Sequence, residues 1–84
     1  MSNALSRIVN KLISRISNEM KYSQYVVILK KELVEEIRNE LNIPPHKKVR
    51  QLKKLIQMLR EKLEDNDYSL IIDGKWLIIT KRIA

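Results

Sequence analysis

The stretch HKKVRQLKK, residues 46–54, carries five Lys or Arg side chains and one histidine in nine positions. Cations at that density do one kind of chemistry well: they neutralise phosphates, and they need neither a metal nor an activated nucleophile to do so. Other chemistries are poorly supplied. The chain has no cysteine and a single histidine, so neither a disulfide frame nor a Cys/His zinc site can be assembled. His46 has no second histidine or cysteine beside it, and its expected role is contact with a phosphate rather than metal binding or proton transfer. Gly74, the one glycine, cannot make a phosphate-cradling loop. Glu32, Glu35, Glu36 and Glu40 fall at spacings suited to ion pairs with Lys31 and Arg38 on a helix surface, not to a carboxylate pair across a pocket. No metal, cofactor or small-molecule ligand is expected, and an enzyme is the least supported class.

A basic segment acts only where a fold presents it. Eighty-four residues suffice for one domain, and a chain of this size buries only about 60–65% of its unfolded surface, which leaves no second core. The expectation is a single domain over 1–84, with residues 1–4 disordered or tag-derived. Hydrophobic residues make up 44% of the chain, and 17 Lys+Arg against 10 Asp+Glu give a net charge of +7. That is a folded, basic protein. No apolar run nears the ~18 residues of a membrane span, and the N-terminus lacks the apolar core and cleavage site of a signal peptide, so a cytoplasmic protein with no membrane partner is expected. The charge is segregated: residues 1–30 carry +4, residues 31–45 carry −2, residues 46–64 carry +5, and the remainder balances.

Hydrophobic spacing then sets the elements. Leu5, Ile8, Val9, Leu12, Ile13, Ile16 and Met20 recur at three and four residues, the period of an amphipathic helix. The run YVVIL (25–29) is short and β-branched, and predicts a strand. A second helix is expected over Lys31–Leu41, with Leu33, Val34, Ile37 and Leu41 inward; Asn42 can end it in the left-handed conformation, and the two prolines of IPP prevent it continuing. A third helix is expected from Pro45 to Glu64. At about 100° per residue, Val49, Leu52, Leu55, Ile56, Leu59 and Leu63 share one side of it, and Lys47, Arg50, Gln51, Lys54, Gln57, Met58 and Glu61 the other.

YSLIIDGKWLIIT is two strand-forming runs around Asp73-Gly74, a dipeptide favoured in two-residue type I′ turns. Pairing Ile72 with Lys75 puts Tyr68, Leu70, Ile72, Leu77 and Ile79 on one face and Ser69, Ile71, Trp76, Ile78 and Thr80 on the other. If the first set packs on the helices, Ile71, Trp76 and Ile78 are left as an apolar surface. Either a homodimer or another partner uses it, or the first helix or N-terminal segment covers it.

The predicted fold is therefore α+β, in the order helix, strand, helix, helix, strand, strand, with three helices and a C-terminal hairpin. Over residues 5–82 this resembles the winged helix-turn-helix superfamily. The resemblance rests on ELVEEIRNELNIPPHKKVRQLKKLIQMLREKL, where Leu33, Ile37, Leu41, Ile43, Val49, Leu52, Leu55 and Ile56 look like the family's core positions. The turn between the second and third helices is about two residues longer than the tight form, and Asn42 stands where the family often has glycine. Size and topology also resemble the small regulators encoded by archaeal viruses and plasmids.

The resemblance implies that helix 45–64 is a recognition helix whose N-terminal turns enter the major groove of double-stranded DNA. Arg50, Gln51 and Gln57 then have side chains suited to base edges, while Lys47, Lys48, Lys53 and Lys54 suit phosphates. On the hairpin, Lys75, with Lys81 and Arg82 at the strand end, at most touches the backbone, because the carboxylate of Asp73 at the tip repels phosphates. Tyr22 and Tyr25 could stack on bases, though packing accounts for them as well. The expected function is sequence-specific duplex binding by a transcriptional regulator. Two alternatives stay open: a protein-interaction winged helix in a larger assembly, and a non-specific chromatin or nucleic-acid binder. The bland reading of the basic helix is a solvated face that keeps a small protein soluble.

Overall fold

The computed structural model describes residues 3–41 and 48–82. Three helices and a three-stranded antiparallel sheet occur in the order α1 (Asn3–Glu19), β1 (Tyr25–Leu29), α2 (Lys30–Leu41), α3 (Lys48–Asp65), β2 (Tyr68–Asp73) and β3 (Trp76–Lys81). The strand order is β1-β3-β2, so the hairpin is completed by a strand from the first half of the chain. Asn3 and Ala4 belong to α1, and Ala4 is buried.

The core lies between the helices and the inner face of the sheet. Leu5, Ile8, Val9, Leu12, Ile16 and Met20 come from α1 and its end, Leu33 and Ile37 from α2, Leu55, Leu59 and Leu63 from α3, and Val26, Ile28, Leu77 and Ile79 from the sheet. Among the described residues, none that is buried is polar or charged. Of the positions the family resemblance would place in the core, Leu33, Ile37 and Leu55 are buried, while Leu41, Leu52 and Ile56 pack against the cluster half-buried. Val49 does not: it is 63% exposed. It stands in the first turn of α3, six residues before Leu55, the first fully buried leucine of the helix, and its position on the apolar side of the helical wheel does not bury it. Met58, expected outward, instead packs against the core, and Gln51 is half-buried.

Strand β1 passes into α2 with no intervening residue. Glu32, in the first turn of α2, accepts a hydrogen bond at 3.2 Å from the Leu29 backbone N–H, the back-reaching half of a capping box. This is why the helix begins at Lys30, one residue earlier than the hydrophobic period suggests. At the other end of the helical layer, the Asn66 side chain donates to the Lys62 carbonyl at 2.8 Å, and Asp67 turns the chain with φ of 62°.

The hairpin forms with a different turn from the one expected. Asp73 pairs with Trp76 and Ile72 with Leu77, so the two turn residues are Gly74 and Lys75, not Asp73 and Gly74. Gly74 has φ of 58° and Lys75 is not in the positive-φ region. That sign pattern belongs to type II′, which wants glycine first, rather than to type I′, which needs two positive values. The slip from the Ile72–Lys75 pairing is two residues, and an even slip preserves the faces. Leu77 and Ile79 are fully buried, with Tyr68 and Leu70 packed against the core, whereas Ile72, close to the turn, is 40% exposed.

Candidate nucleic-acid interface

The outward face of α3 is fixed by what the inward face buries. Leu55, Leu59 and Leu63 have no exposed surface, and their four-residue spacing locks the helix rotation. Opposite them, Arg50, Lys53, Lys54 and Gln57 are all exposed. Positions 50, 53, 54 and 57 are neighbours on a helical surface, with Cβ atoms about 5–6 Å apart. The first seven residues of α3 hold four bases, Lys48, Arg50, Lys53 and Lys54, and no acid; the remaining eleven hold Arg60 and Lys62 against Glu61, Glu64 and Asp65. The positive charge is concentrated in the N-terminal half.

The first turn of that half is unfavourable for cations, because the helix dipole is positive there; a charge placed in it costs roughly 0.3–1 kcal/mol, and the effect fades beyond the turn. The first turn of α3 has no acid to offset it. What suits the N-terminus of a helix with cations around it is an anion.

The bases of α1, which belong to the other basic segment, are paired within the fold. Arg7 of α1 meets Glu40 of α2 at 3.4 Å, Lys11 meets Glu36 at 3.3 Å, and Arg15 meets Glu19 of its own helix at 3.6 Å. These are all three bases of α1. The acidic helix thus serves α1, correcting the expectation that its glutamates pair with Lys31 and Arg38. No ion pair involves α3 among the described residues. Energetically such exposed pairs are worth little, about 0–1 kcal/mol each, but they distinguish the bases of α1 from those of α3, which no described carboxylate pairs.

Individual candidates now separate. Arg50, Lys53 and Lys54 are brought together. Lys48 lies in the first turn of the same helix, and Lys47 lies outside the described residues, as do His46 and the long helix-to-helix turn. Gln51 is turned towards the body of the protein. Gln57 donates its side-chain amide to Glu61 at 3.2 Å, which leaves its carbonyl oxygen for a ligand. Lys75 is not a free wing cation: its ammonium sits over the Trp76 ring, 5.5 Å from the centroid, and its carbonyl accepts from the Lys30 N–H at 2.9 Å.

The second candidate surface is the outer face of the sheet. Ile71 is 52% and Trp76 40% exposed, and Ile78 lies between them, half-buried. Neither α1 nor the described N-terminal residues cover it. Register adds two residues that sequence reasoning left out: Val27 pairs with Ile78, and Tyr25 with Thr80, so both extend the same face. YVVIL is uniformly apolar, so its residue types do not mark which side chains face outward; in the fold Val26 and Ile28 are buried and Tyr25 and Val27 exposed.

Compared with protein-family models, curated proteins and solved structures, the chain matches none.

Proposed function

We propose that this protein binds double-stranded DNA through α3, acting as a small winged helix-turn-helix regulator that occupies a site rather than performing catalysis. The observation that carries the reading is the polarised helix: its first seven residues hold four bases and no acid, and three of those bases, Arg50, Lys53 and Lys54, are exposed on the side opposite a buried leucine ladder, while the bases of α1 are paired. The arrangement of three helices and a β1-β3-β2 sheet is compatible with a winged-helix layout and supports it. In this reading Arg50, at the centre of the outward face, is the residue for a guanine edge. Lys53 and Lys54, with Lys47 and Lys48, take phosphates and set register and affinity without choosing sequence.

The test is fluorescence anisotropy on duplexes across a salt series, comparing a random duplex with fragments flanking the gene. The expected result is a log–log salt slope that loses about 0.9 for each phosphate-contacting lysine changed to alanine, together with preference for one fragment. A protein that binds no duplex at low salt would sink the proposal. Binding every duplex equally would leave a non-specific binder in its place. The exposed outer sheet face specifically favours a second reading, a protein-interaction module, and in that case Trp76→Ala abolishes partner binding while Arg50→Ala leaves it intact.

A further inference from the structure

The sheet has two edges, and they differ. On β1 the outward main-chain groups belong to Tyr25, Val27 and Leu29, because Lys30 continues the ladder by bonding to Lys75 and bonded pairs alternate. That edge is guarded. The Leu29 N–H is taken by Glu32, and Asn18, Glu19, Tyr22 and Ser23 wall a groove beside Tyr25–Val27.

On β2 the Arg82 N–H bonds to the Asp67 carbonyl at 2.8 Å, which fixes the odd-numbered residues as those bonded to β3. The N–H and C=O of Leu70 and Ile72 therefore point away from the sheet, and no hydrogen bond engages them among the described residues. Natural edges are blunted by charges, prolines or bulges. From Ser69 to Ile72 this strand has none, and its exposure rises towards the turn.

We propose that the β2 edge is a homodimer contact, in which a second copy of this chain adds its own β2 antiparallel about a two-fold axis beside Ile71. The register chosen by the open groups is self-complementary. Leu70 and Ile72 of one copy form bonded pairs with Ile72 and Leu70 of the other, so each unpartnered N–H and C=O finds a match. The same register sets Ile71 against Ile71 of the second copy on the outer face, a close non-bonded pair. It also brings the turn carrying Lys75 alongside Asp67 of the second copy, opposite charges at both ends of the seam. No cation lies in the seam between those ends, which matters for a chain of net charge +7.

Sedimentation equilibrium without DNA tests this, independently of the function proposed above. The wild type is expected at twice the 10.0 kDa of one chain. Ile71→Lys and Ile71→Glu each place a charge on an exposed position, so circular dichroism should show them folded, and each alone is expected at the monomer mass. Mixing the two in equal amounts is expected to restore the dimer, because residue 71 meets its own counterpart. Val27→Lys, on the outer face but distant from this edge, should leave the dimer unchanged. A wild type that stays monomeric overturns the proposal, as does a mixture that fails to reassociate. A dimer abolished by Val27→Lys would instead mean that copies stack face to face.

Discussion

Arg50 is the position at which charge and geometry can be separated. Lysine there keeps the cation but loses the planar fork that grips two acceptors on one base. Arg50→Lys should therefore leave affinity for random duplex and its salt slope near the wild-type values, while preference for the best fragment falls by about 1–3 kcal/mol. Anisotropy competition between the two duplexes reads this directly; equal losses on both would make Arg50 a phosphate contact. Asp67 offers a test of the fold itself. Its φ of 62° lies in the left-handed region, which L-residues enter at a cost that glycine escapes. Asp67→Gly should raise stability by about 0.5–1 kcal/mol, or several degrees in melting temperature for a domain of this size. At Gly74 the opposite holds. An added Cβ would meet nothing within 4 Å, so Gly74→Ala should cost about 1 kcal/mol through backbone conformation alone.

At the scale of elements, α3 divides into a buried C-terminal part and an exposed N-terminal part. Leu59→Ala should cost about 2–5 kcal/mol by opening a cavity in the core. Val49→Ala, three turns earlier on the apolar side of the wheel but exposed, should cost at most a few tenths. Thermal melts of the two variants check the division. That contrast also marks what the sequence could convey. Period located the helices, because each buries one face and burial imposes the spacing, while β-branched composition located the β1 run and the strand-forming runs around Asp73-Gly74 located the hairpin. Period could not report Val49's exposure, since a helical wheel knows angle but not how far along the axis neighbouring elements reach. The hairpin faces were legible and its register was not: side-chain alternation is indifferent to a shift of two, and only the φ values at Gly74 and Lys75 decide between II′ and I′. For the candidate site, the basic run was plain to read. The neutralisation of α1 by Glu36 and Glu40 was not, because those contacts join residues 25 and 33 positions apart.

For the whole molecule, the issue is whether clustered cations serve the fold or act against it. If the bases of α3 only solvate a surface, replacing them should be neutral or destabilising. If they are held ready for phosphates, the unliganded fold carries their repulsion. Arg50 and Lys54 are like charges one turn apart, a spacing that costs about 0.2–0.5 kcal/mol, and Arg50 stands in the first turn, where the dipole opposes cations. No carboxylate pairs with either among the described residues. Arg50→Ala/Lys54→Ala should accordingly melt at or slightly above the wild-type temperature, by an amount equivalent to about 0.5–1 kcal/mol, while binding duplex DNA more weakly. Added salt should act in the same two directions on the wild type. Screening within a Debye length of about 10 Å at 0.1 M relieves the repulsion and raises the melting temperature, and the same salt lowers DNA affinity. Melting curves and anisotropy recorded over one salt series on both proteins decide the matter: a double variant that melts lower than wild type at low salt would make these residues part of the scaffold, whereas opposed shifts in stability and binding would identify a surface built to meet an anion.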